Sequence, residues 1–208
     1  MARSLKKIHI VDIESTCWRS GAGDQPASPS GNCRPNEIIE IGICRMILDT
    51  LEIEQVKQYY CRPVWHPVLS DFCVELTGIQ QSMVDAAPSY IESMTKMRED
   101  FGKNALISNP WVSWGDYDRM MFDHMAQEIL HEGSYKDRYP WGRQHINLKT
   151  LHGLLTGVKK SMGVSGALVS FGMKFEGRPH CGMDDAYNIA RIIQRILQKN
   201  RNLCWWSS

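Results

Sequence analysis

Four acidic side chains in this sequence have the types and positions of metal ligands. Asp12 and Glu14 lie inside the apolar run of residues 8–14, and Asp118 and Asp185 stand near the starts of two helical segments. Burying an isolated carboxylate is costly unless an opposite charge lies beside it. A pair of divalent cations is the simplest counter-charge that four carboxylates could share, so the residue types indicate chemistry at a metal site.

The spacing of these acids predicts that they meet. Side chains alternate across a strand, so Asp12 and Glu14 project from the same face. Asp185 lies four residues before an apolar stripe at the helical period, which places it on the core side of the last helix. That stripe consists of Ile189, Ile192, Ile193, Ile196 and Leu197.

The same helical spacing separates two acids in the middle of the chain. Asp118 leads at helical steps into an apolar series, whereas Asp116 leads into mostly polar positions. We therefore expect Asp118 to face the core and Asp116 to cap the helix N-terminus. We interpret three methionines of this helix as core residues, namely Met120, Met121 and Met125, and Trp114 as a packing residue.

Length and charge narrow the class of protein. The 208 residues are enough for one sizeable core, and we expect a single domain over residues 1–208. Residues 20–35 are rich in Gly, Pro and Ser, which predicts a mobile loop insertion.

The net charge of +1 gives no general electrostatic footprint for nucleic acid, so any contact with nucleic acid must come from local basic groups such as Lys174 and Arg178. A solvated surface explains these groups equally well.

Cysteine usage and hydropathy predict the compartment. The seven cysteines include no CxxC pair, which indicates reduced thiols rather than a disulfide framework or a zinc site. Cys44 and Cys61 lie in strand-like segments and are interpreted as small core residues. The sequence shows no secretory signal and no stretch long enough to span a membrane, so we expect a cytoplasmic protein.

The order of predicted elements is that of an α/β protein. Predicted strands cover residues 7–14, 37–48, 51–62, part of 105–114, and 145–148. Predicted helices cover residues 70–79 with Ser70 as N-cap, 88–101, the segment carrying Asp118, 148–155, 165–173 and 184–199. The second and third strands are separated by a turn near residues 49–50, which favours an antiparallel hairpin.

Seven short segments resemble the motifs of one known family. They are residues 12–18 (DIESTCW), 36–42 (NEIIEIG), 75–79 (ELTGI), 113–118 (SWGDYD), 146–149 (INLK), 177–185 (GRPHCGMDD) and 188–191 (NIAR). The chain resembles a DEDDh-type 3′-to-5′ exonuclease, and within that superfamily the branch of the histone mRNA and Eri-type exonucleases and the sporulation inhibitor KapD. The resemblance implies a ribonuclease H-like fold, with a central mixed five-stranded sheet flanked by helices.

The resemblance also implies roles for the five site residues. Asp12, Glu14, Asp118 and Asp185 match the metal-binding acids, and His180 matches the general base. Two Mg²⁺ or Mn²⁺ ions, about 3.5–4 Å apart in such sites, stabilise the attacking and leaving oxygens of a phosphodiester. Hard cations prefer oxygen ligands, which explains the carboxylates. His180 would accept the proton of the attacking water, and its loop would let it swing in when substrate binds.

Nucleotide contacts are predicted mainly on one helix end. Residues 75–79 resemble the segment that closes on the 3′-terminal nucleotide in this family. The predicted substrate-binding residues are Ile13, Thr16, Trp18, Leu76, Thr77, Gly78 and Ile79. Gly78 is also a signal for a helix C-terminus. Trp18 fits a base-stacking role and a loop-anchoring role equally well.

The resulting hypothesis is a metal-dependent exonuclease that shortens single-stranded nucleic acid from a free 3′ end and releases 5′-monophosphates. The resemblance favours RNA over DNA as the partner, although a DNA-directed enzyme stays open. A second hypothesis is a regulatory binding protein on an exonuclease scaffold. The tryptophans at positions 205 and 206 fit a protein-binding patch or a tail that folds back.

Overall fold

A computed structural model describes residues 5–19, 35–128, 134–158 and 162–201. Within these residues the chain forms five strands and nine helices. The strands are β1 (Lys7–Ser15), β2 (Ile38–Ile47), β3 (Ile53–Tyr60), β4 (Trp111–Ser113) and β5 (His145–Asn147). The helices are α1 (Asp71–Thr77), α2 (Gln81–Asp85), α3 (Tyr90–Phe101), α4 (Lys103–Ser108), α5 (Tyr117–Glu128), α6 (Tyr135–Arg138), α7 (Leu148–Thr156), α8 (Val164–Ser170) and α9 (Gly182–Arg201).

The strands form one mixed sheet in the order β3-β2-β1-β4-β5. β1 pairs with β2 and β2 with β3 in antiparallel fashion, so the predicted hairpin is confirmed. β4 runs parallel to β1, and β5 runs parallel to β4. The mixed five-stranded sheet of the ribonuclease H-like fold is therefore confirmed.

Both faces of β1 are buried, which explains why its sequence is almost continuously apolar. Ile8 and Ile10 pack on one face with residues of α8 and α9. Val11 and Ile13 pack on the other face with residues of α3 and α5. His9 also lies on this second face and is fully buried against the ring of Phe101. The sheet is thus the middle layer between two sets of helices.

The start of α9 packs unusually closely against β2. A Cβ atom on Gly42 would lie 1.9 Å from the carbonyl carbon of Gly182. A Cβ on Gly182 would in turn meet the backbone of Asp12 and Gly42 and the side chain of Glu40 at 3.1 Å. Two glycines therefore let α9 begin directly over the ends of β1 and β2, where Asp12 and Glu14 lie.

Helix boundaries agree with the sequence predictions where a capping signal is present. Ser70 caps α1, its hydroxyl accepting the N–H of Cys73 at 3.0 Å. That helix ends at Thr77 rather than Ile79, because Gly78 takes a left-handed conformation with φ of 71°. Asp116 directly precedes α5 as predicted, although its carboxylate accepts from the side chain of Asn147 at 2.9 Å.

Other expectations are corrected or lie beyond the described chain. Met120 was predicted in the core with Met121 and Met125, but it is 59% exposed, because it lies on the same side of α5 as Asp116. The short helices α2, α4 and α6 were not predicted, since each is too short to show a helical period. The predicted loop 20–35, apart from Pro35, and the tryptophan pair lie outside the described residues.

Two of the described cysteines are core residues, as predicted. Cys44 and Cys61 are fully buried, and the five cysteines within the described ranges are free thiols. No helix among the described residues has the length and apolar character needed to cross a membrane.

We predict that Gly42→Ala destabilises the fold, because the added methyl would overlap the backbone of α9. The expected loss is about 1–3 kcal/mol, the usual cost of overpacking, measured by urea unfolding monitored by circular dichroism. Gly153→Ala is the control. Gly153 lies inside α7 with 3.6 Å to its nearest neighbour, so alanine there should stabilise the protein. Equal unfolding midpoints for Gly42→Ala and the wild type would contradict the close approach of α9.

Candidate active site

Three carboxylates from two elements meet at the end of β1. Asp12 and Glu14 project from β1 on the face that α9 covers, and Asp185 projects from the first turn of α9. An oxygen atom of each lies within 4.8 Å of an oxygen of the other two. An all-oxygen set of this size is the donor set that Mg²⁺ and Mn²⁺ prefer.

Asp118 reaches the same place from the other layer of the fold. It stands in the first turn of α5, which packs on the opposite face of the sheet from α9. The Asp118 side chain is buried, and its Oδ1 accepts the backbone N–H of Ile13 at 3.0 Å. It lines the same cavity as Asp12, Glu14 and Asp185, but it is not part of the tight group of three within the described residues.

Burial and mutual repulsion favour the protonated forms of these acids. Burial, then repulsion from Asp118, Asp185 and Glu14, raises the pKa of Asp12 well above its usual range. Burial, together with Glu40 and Asp185, raises the pKa of Glu14 to about 8. Burial raises the pKa of Asp118 and of Asp185 to about 6, against hydrogen bonds from backbone N–H groups. A cation between the carboxylates would reverse these shifts.

Glu40 is a further buried acid, next to Glu14, that the sequence analysis did not single out. It lies opposite Glu14 in the β1–β2 register, and its Oε1 accepts from Met183 N–H at 3.2 Å and from Gln58 Nε2 at 2.7 Å. Its Oε2 is buried without a hydrogen-bond partner among the described residues. The signal that could have found it is a glutamate within the apolar segment 36–42. Glu40 therefore holds the first turn of α9, the turn that carries Asp185.

His180 lies in the loop between α8 and α9 and lines the cavity with the four acids. The cavity has a volume of about 380 Å³. His180 is exposed and adopts a left-handed backbone conformation with φ of 61°, which is rare for a residue other than glycine. Its N–H donates to Oδ2 of Asp185 at 2.7 Å. The carboxylate of Asp185 thus fixes the backbone of the histidine beside it.

Side chains of α9 hold the rest of this loop. The amide of Asn188 both accepts from Glu176 N–H at 3.1 Å and donates to Glu176 O at 2.7 Å. Arg191 donates to Lys174 O at 2.8 Å and forms an ion pair with Glu176 at 2.8 Å. Asn188 is fully buried, so the loop before His180 is anchored on the helix itself.

Two aromatic residues complete the cavity wall. Trp114 packs with the α9 side of the core, as predicted, and its Nε1 donates to Met162 O at 2.9 Å, but it also lines the cavity. Tyr117 lines it as well and lies about half exposed, with its hydroxyl 2.7 Å from Ser15 Oγ. Tyr117 was not predicted, because an aromatic residue beside Asp118 has no distinguishing spacing.

The structure separates the predicted nucleotide contacts into three groups. Ile13 lines the cavity. Three of the predicted contact residues are buried. The hydroxyls of Thr16 and Thr77 form hydrogen bonds within the protein, and Ile79 packs in the core. The half-buried residues outside the cavity lining are Leu76, Gly78 and Trp18. The Trp18 ring lies edge-on to His66, with 4.6 Å between ring centroids, an arrangement that fits both of its predicted roles.

Comparison with known proteins agrees with this geometry. The exonuclease family model, RNase_T, matches residues 10–193. The human protein ERI1 exoribonuclease 3 is 33% identical over 193 residues, and human 3′-5′ exoribonuclease 1 is 34% identical over 196 residues. These matches cover 90% and 92% of this chain, which spans about half the length (52%) of either relative.

Solved structures give the same result. The nuclease domain of 3′hExo, a DEDDh family member bound to rAMP, superposes with a TM-score of 0.79 at 31% identity, over 94% of this chain and 93% of that domain. The structure of cell-death related nuclease 4 shares the fold, with a TM-score of 0.70 at 22% identity over 94% of this chain and 64% of that one. The chain belongs to the exonuclease (RNase_T) family, as a DEDDh-type member related to the Eri-type enzymes.

Proposed function

We propose that this chain is a metal-dependent 3′-to-5′ exonuclease that removes nucleotides from single-stranded RNA and releases 5′-monophosphates. The observation that carries the proposal is the meeting of Asp12, Glu14 and Asp185 within 4.8 Å, in a cavity that His180 and Asp118 also line. A phosphodiester hydrolase needs concentrated positive charge at the phosphate and a group that accepts a proton. These five residues supply the ligands for the first and the acceptor for the second.

The four acids fit two divalent cations, Mg²⁺ or Mn²⁺. The exonuclease family depends on divalent metals, and the acidic cluster offers only oxygen donors. Asp12, Glu14 and Asp185 would hold these ions among them, and Asp118, which lines the same cavity, would contribute a further oxygen ligand. When bound, such ions stabilise the charge that develops on the attacking and leaving oxygens.

His180 is the proton acceptor in this proposal. Histidine is the side chain whose charge changes most readily near neutral pH, so it can take a proton from water and release it again. The bond from His180 N–H to Asp185 fixes its backbone, and its exposed position leaves the ring free to face a bound nucleotide. In this proposal the ring turns into the cavity when substrate binds, while its backbone stays held.

RNA is the favoured substrate because of the relatives. Two are named exoribonucleases, and solved 3′-exonuclease structures contain a histone mRNA stem-loop and rAMP. In the proposed complex Ile13, Trp114 and Tyr117 would contact the terminal nucleotide, since they line the cavity around the acids. The end of α1, with Leu76 and Gly78, would close on the same 3′-terminal nucleotide, and the ring of Trp18 would contact the neighbouring base.

Digestion of matched 5′-labelled single-stranded RNA and DNA oligonucleotides tests the activity. With Mg²⁺ or Mn²⁺ we expect a ladder that shortens from the 3′ end, faster on RNA, and no cleavage with EDTA. Asp12→Ala, which removes a ligand, is expected to lower the rate by about 10³-fold or more and to keep the native circular dichroism spectrum. Faster cleavage of DNA would favour a DNA-directed enzyme. A folded wild type that cleaves neither would favour a regulatory binding role.

The base role of His180 predicts a separate effect of His180→Ala. We expect kcat to fall by about 10²–10⁴-fold, the usual contribution of a positioned acid or base, with Mn²⁺ affinity within about threefold of wild type. Steady-state rates over pH 5–9 and calorimetric Mn²⁺ titration measure the two quantities. His124→Ala, which removes a half-buried imidazole outside the cavity lining, is the control for the loss of an imidazole. An unchanged pH–rate profile in His180→Ala would rule out the base role.

The raised carboxyl pKa values predict how stability depends on pH. These acids bind protons more tightly in the folded state than in the unfolded state. Without metal, their contribution to the free energy of unfolding is therefore largest below about pH 4. That contribution is lost as pH rises through about 6, for Asp118 and Asp185, and about 8, for Glu14. Mg²⁺ or Mn²⁺ should therefore raise the melting temperature more at pH 8 than at pH 5. Scanning calorimetry of the wild type and of Asp12→Asn measures this rise in melting temperature, which we expect to be smaller in the variant. A rise that does not depend on pH would contradict the prediction.

A further inference from the structure

Arg178 connects two segments of the site that come from distant parts of the chain. It lies two residues before His180, and its Nη2 donates to the carbonyl oxygens of Glu75 and Leu76, at 3.4 and 3.5 Å. These carbonyls belong to the last turn of α1, where helix carbonyls lack partners within the helix and attract a cation. The side chain of Arg178 therefore spans from the His180 loop to the end of α1.

The guanidinium of Arg178 also packs on the backbone at the end of α1. It lies directly on Gly78, where a Cβ atom would be 1.3 Å from Nη1. The left-handed φ of 71° favours glycine at this position, and the lack of a side chain leaves the backbone open to the guanidinium.

The backbone of Arg178 is also held by a hydrogen bond. Its N–H donates to Asp184 Oδ2 at 2.8 Å, and Gly177, with φ of 82°, leaves space for that carboxylate. His180 is held in the same way by the next acid, Asp185. The carboxylates of Asp184 and Asp185 therefore hold Arg178 and His180, and the side chain of Arg178 connects this loop to α1.

We infer that Arg178 is a positioning residue, which sets the distance between His180 and the nucleotide held at the end of α1. The inference rests on the proposed function, in which His180 is the base and residues 75–79 contact the 3′-terminal nucleotide. Proton transfer requires the base within hydrogen-bond reach, and misplacement by about 1 Å can cost on the order of 10²-fold in rate. Tying the two segments together keeps that distance constant.

Steady-state kinetics on a single-stranded RNA separates positioning from phosphate binding. Arg178→Gln is expected to lower kcat by about tenfold or more and to leave KM within about twofold. Arg178→Lys should recover little of the rate, because an ammonium group cannot lie flat on Gly78 and bond two carbonyls as the planar guanidinium does. Arg195→Gln, which removes the same charge from an exposed position on α9, is the control and should match the wild type.

Three kinetic outcomes would overturn the inference. Arg178 contacts a phosphate instead if Arg178→Gln raises KM and leaves kcat unchanged. In that case the slope of log Kd for RNA against log salt concentration should also fall by about 0.7. Full recovery by Arg178→Lys would support the same conclusion, since lysine keeps the charge. If Arg178→Gln behaves like Arg195→Gln, the connection has no consequence for catalysis.

Amide hydrogen exchange tests the connection without any activity. In Arg178→Gln we expect exchange in residues 75–79 and 176–181 to speed up together by roughly 2- to 10-fold, the factor that one hydrogen bond is worth, with the core of the sheet unchanged. Unchanged exchange in either segment would overturn the inference. A wild type that shows the connection by exchange but cleaves no RNA would refute the proposed function and leave the contact itself intact.

Discussion

The repulsion among buried carboxylates at the end of β1 is the constraint on which this site depends. Asp12, Glu14 and Asp185 lie within 4.8 Å of one another, and Glu40 adds a fourth charge next to Glu14. Burial raises the pKa of each, so the protein alone holds these groups together at a cost. The proposed divalent cations would offset this cost, in keeping with the metal dependence of the exonuclease family.

The position of α9 links the acidic site to the rest of the fold. Its first turn is held by Glu40 and by the two glycines where β2 and α9 touch, Gly42 and Gly182. From this turn Asp185 faces the cavity, while Asp184 and Asp185 hold the loop that presents His180. One helix start therefore carries Asp185, supports the loop of His180 and, through Arg178, reaches the end of α1. A small shift of α9 would disturb all three.

The strand pattern, the capping residues and the chemistry-bearing side chains were predictable from the sequence because each leaves a local signal. Alternation placed Asp12 and Glu14 on one face, helical spacing chose Asp118 over Asp116, and Ser70 marked the start of α1. The helices α2, α4 and α6 are too short for a period to be seen. The prediction for Met120 was wrong because its side chain is apolar, yet its helical position lies on the exposed side of α5.

By itself the sequence determined the α/β order of elements, the acids and histidine of the candidate site, and the family, because ordered motifs and side-chain periods are properties of the chain. Only the tertiary structure decided that Glu40 holds α9, that Thr16 and Thr77 point into the protein, and that Arg178 lies on Gly78. Each of these depends on a contact between residues distant in sequence, such as Arg178 and Leu76. Such contacts are set by how the layers pack, and no local pattern records them.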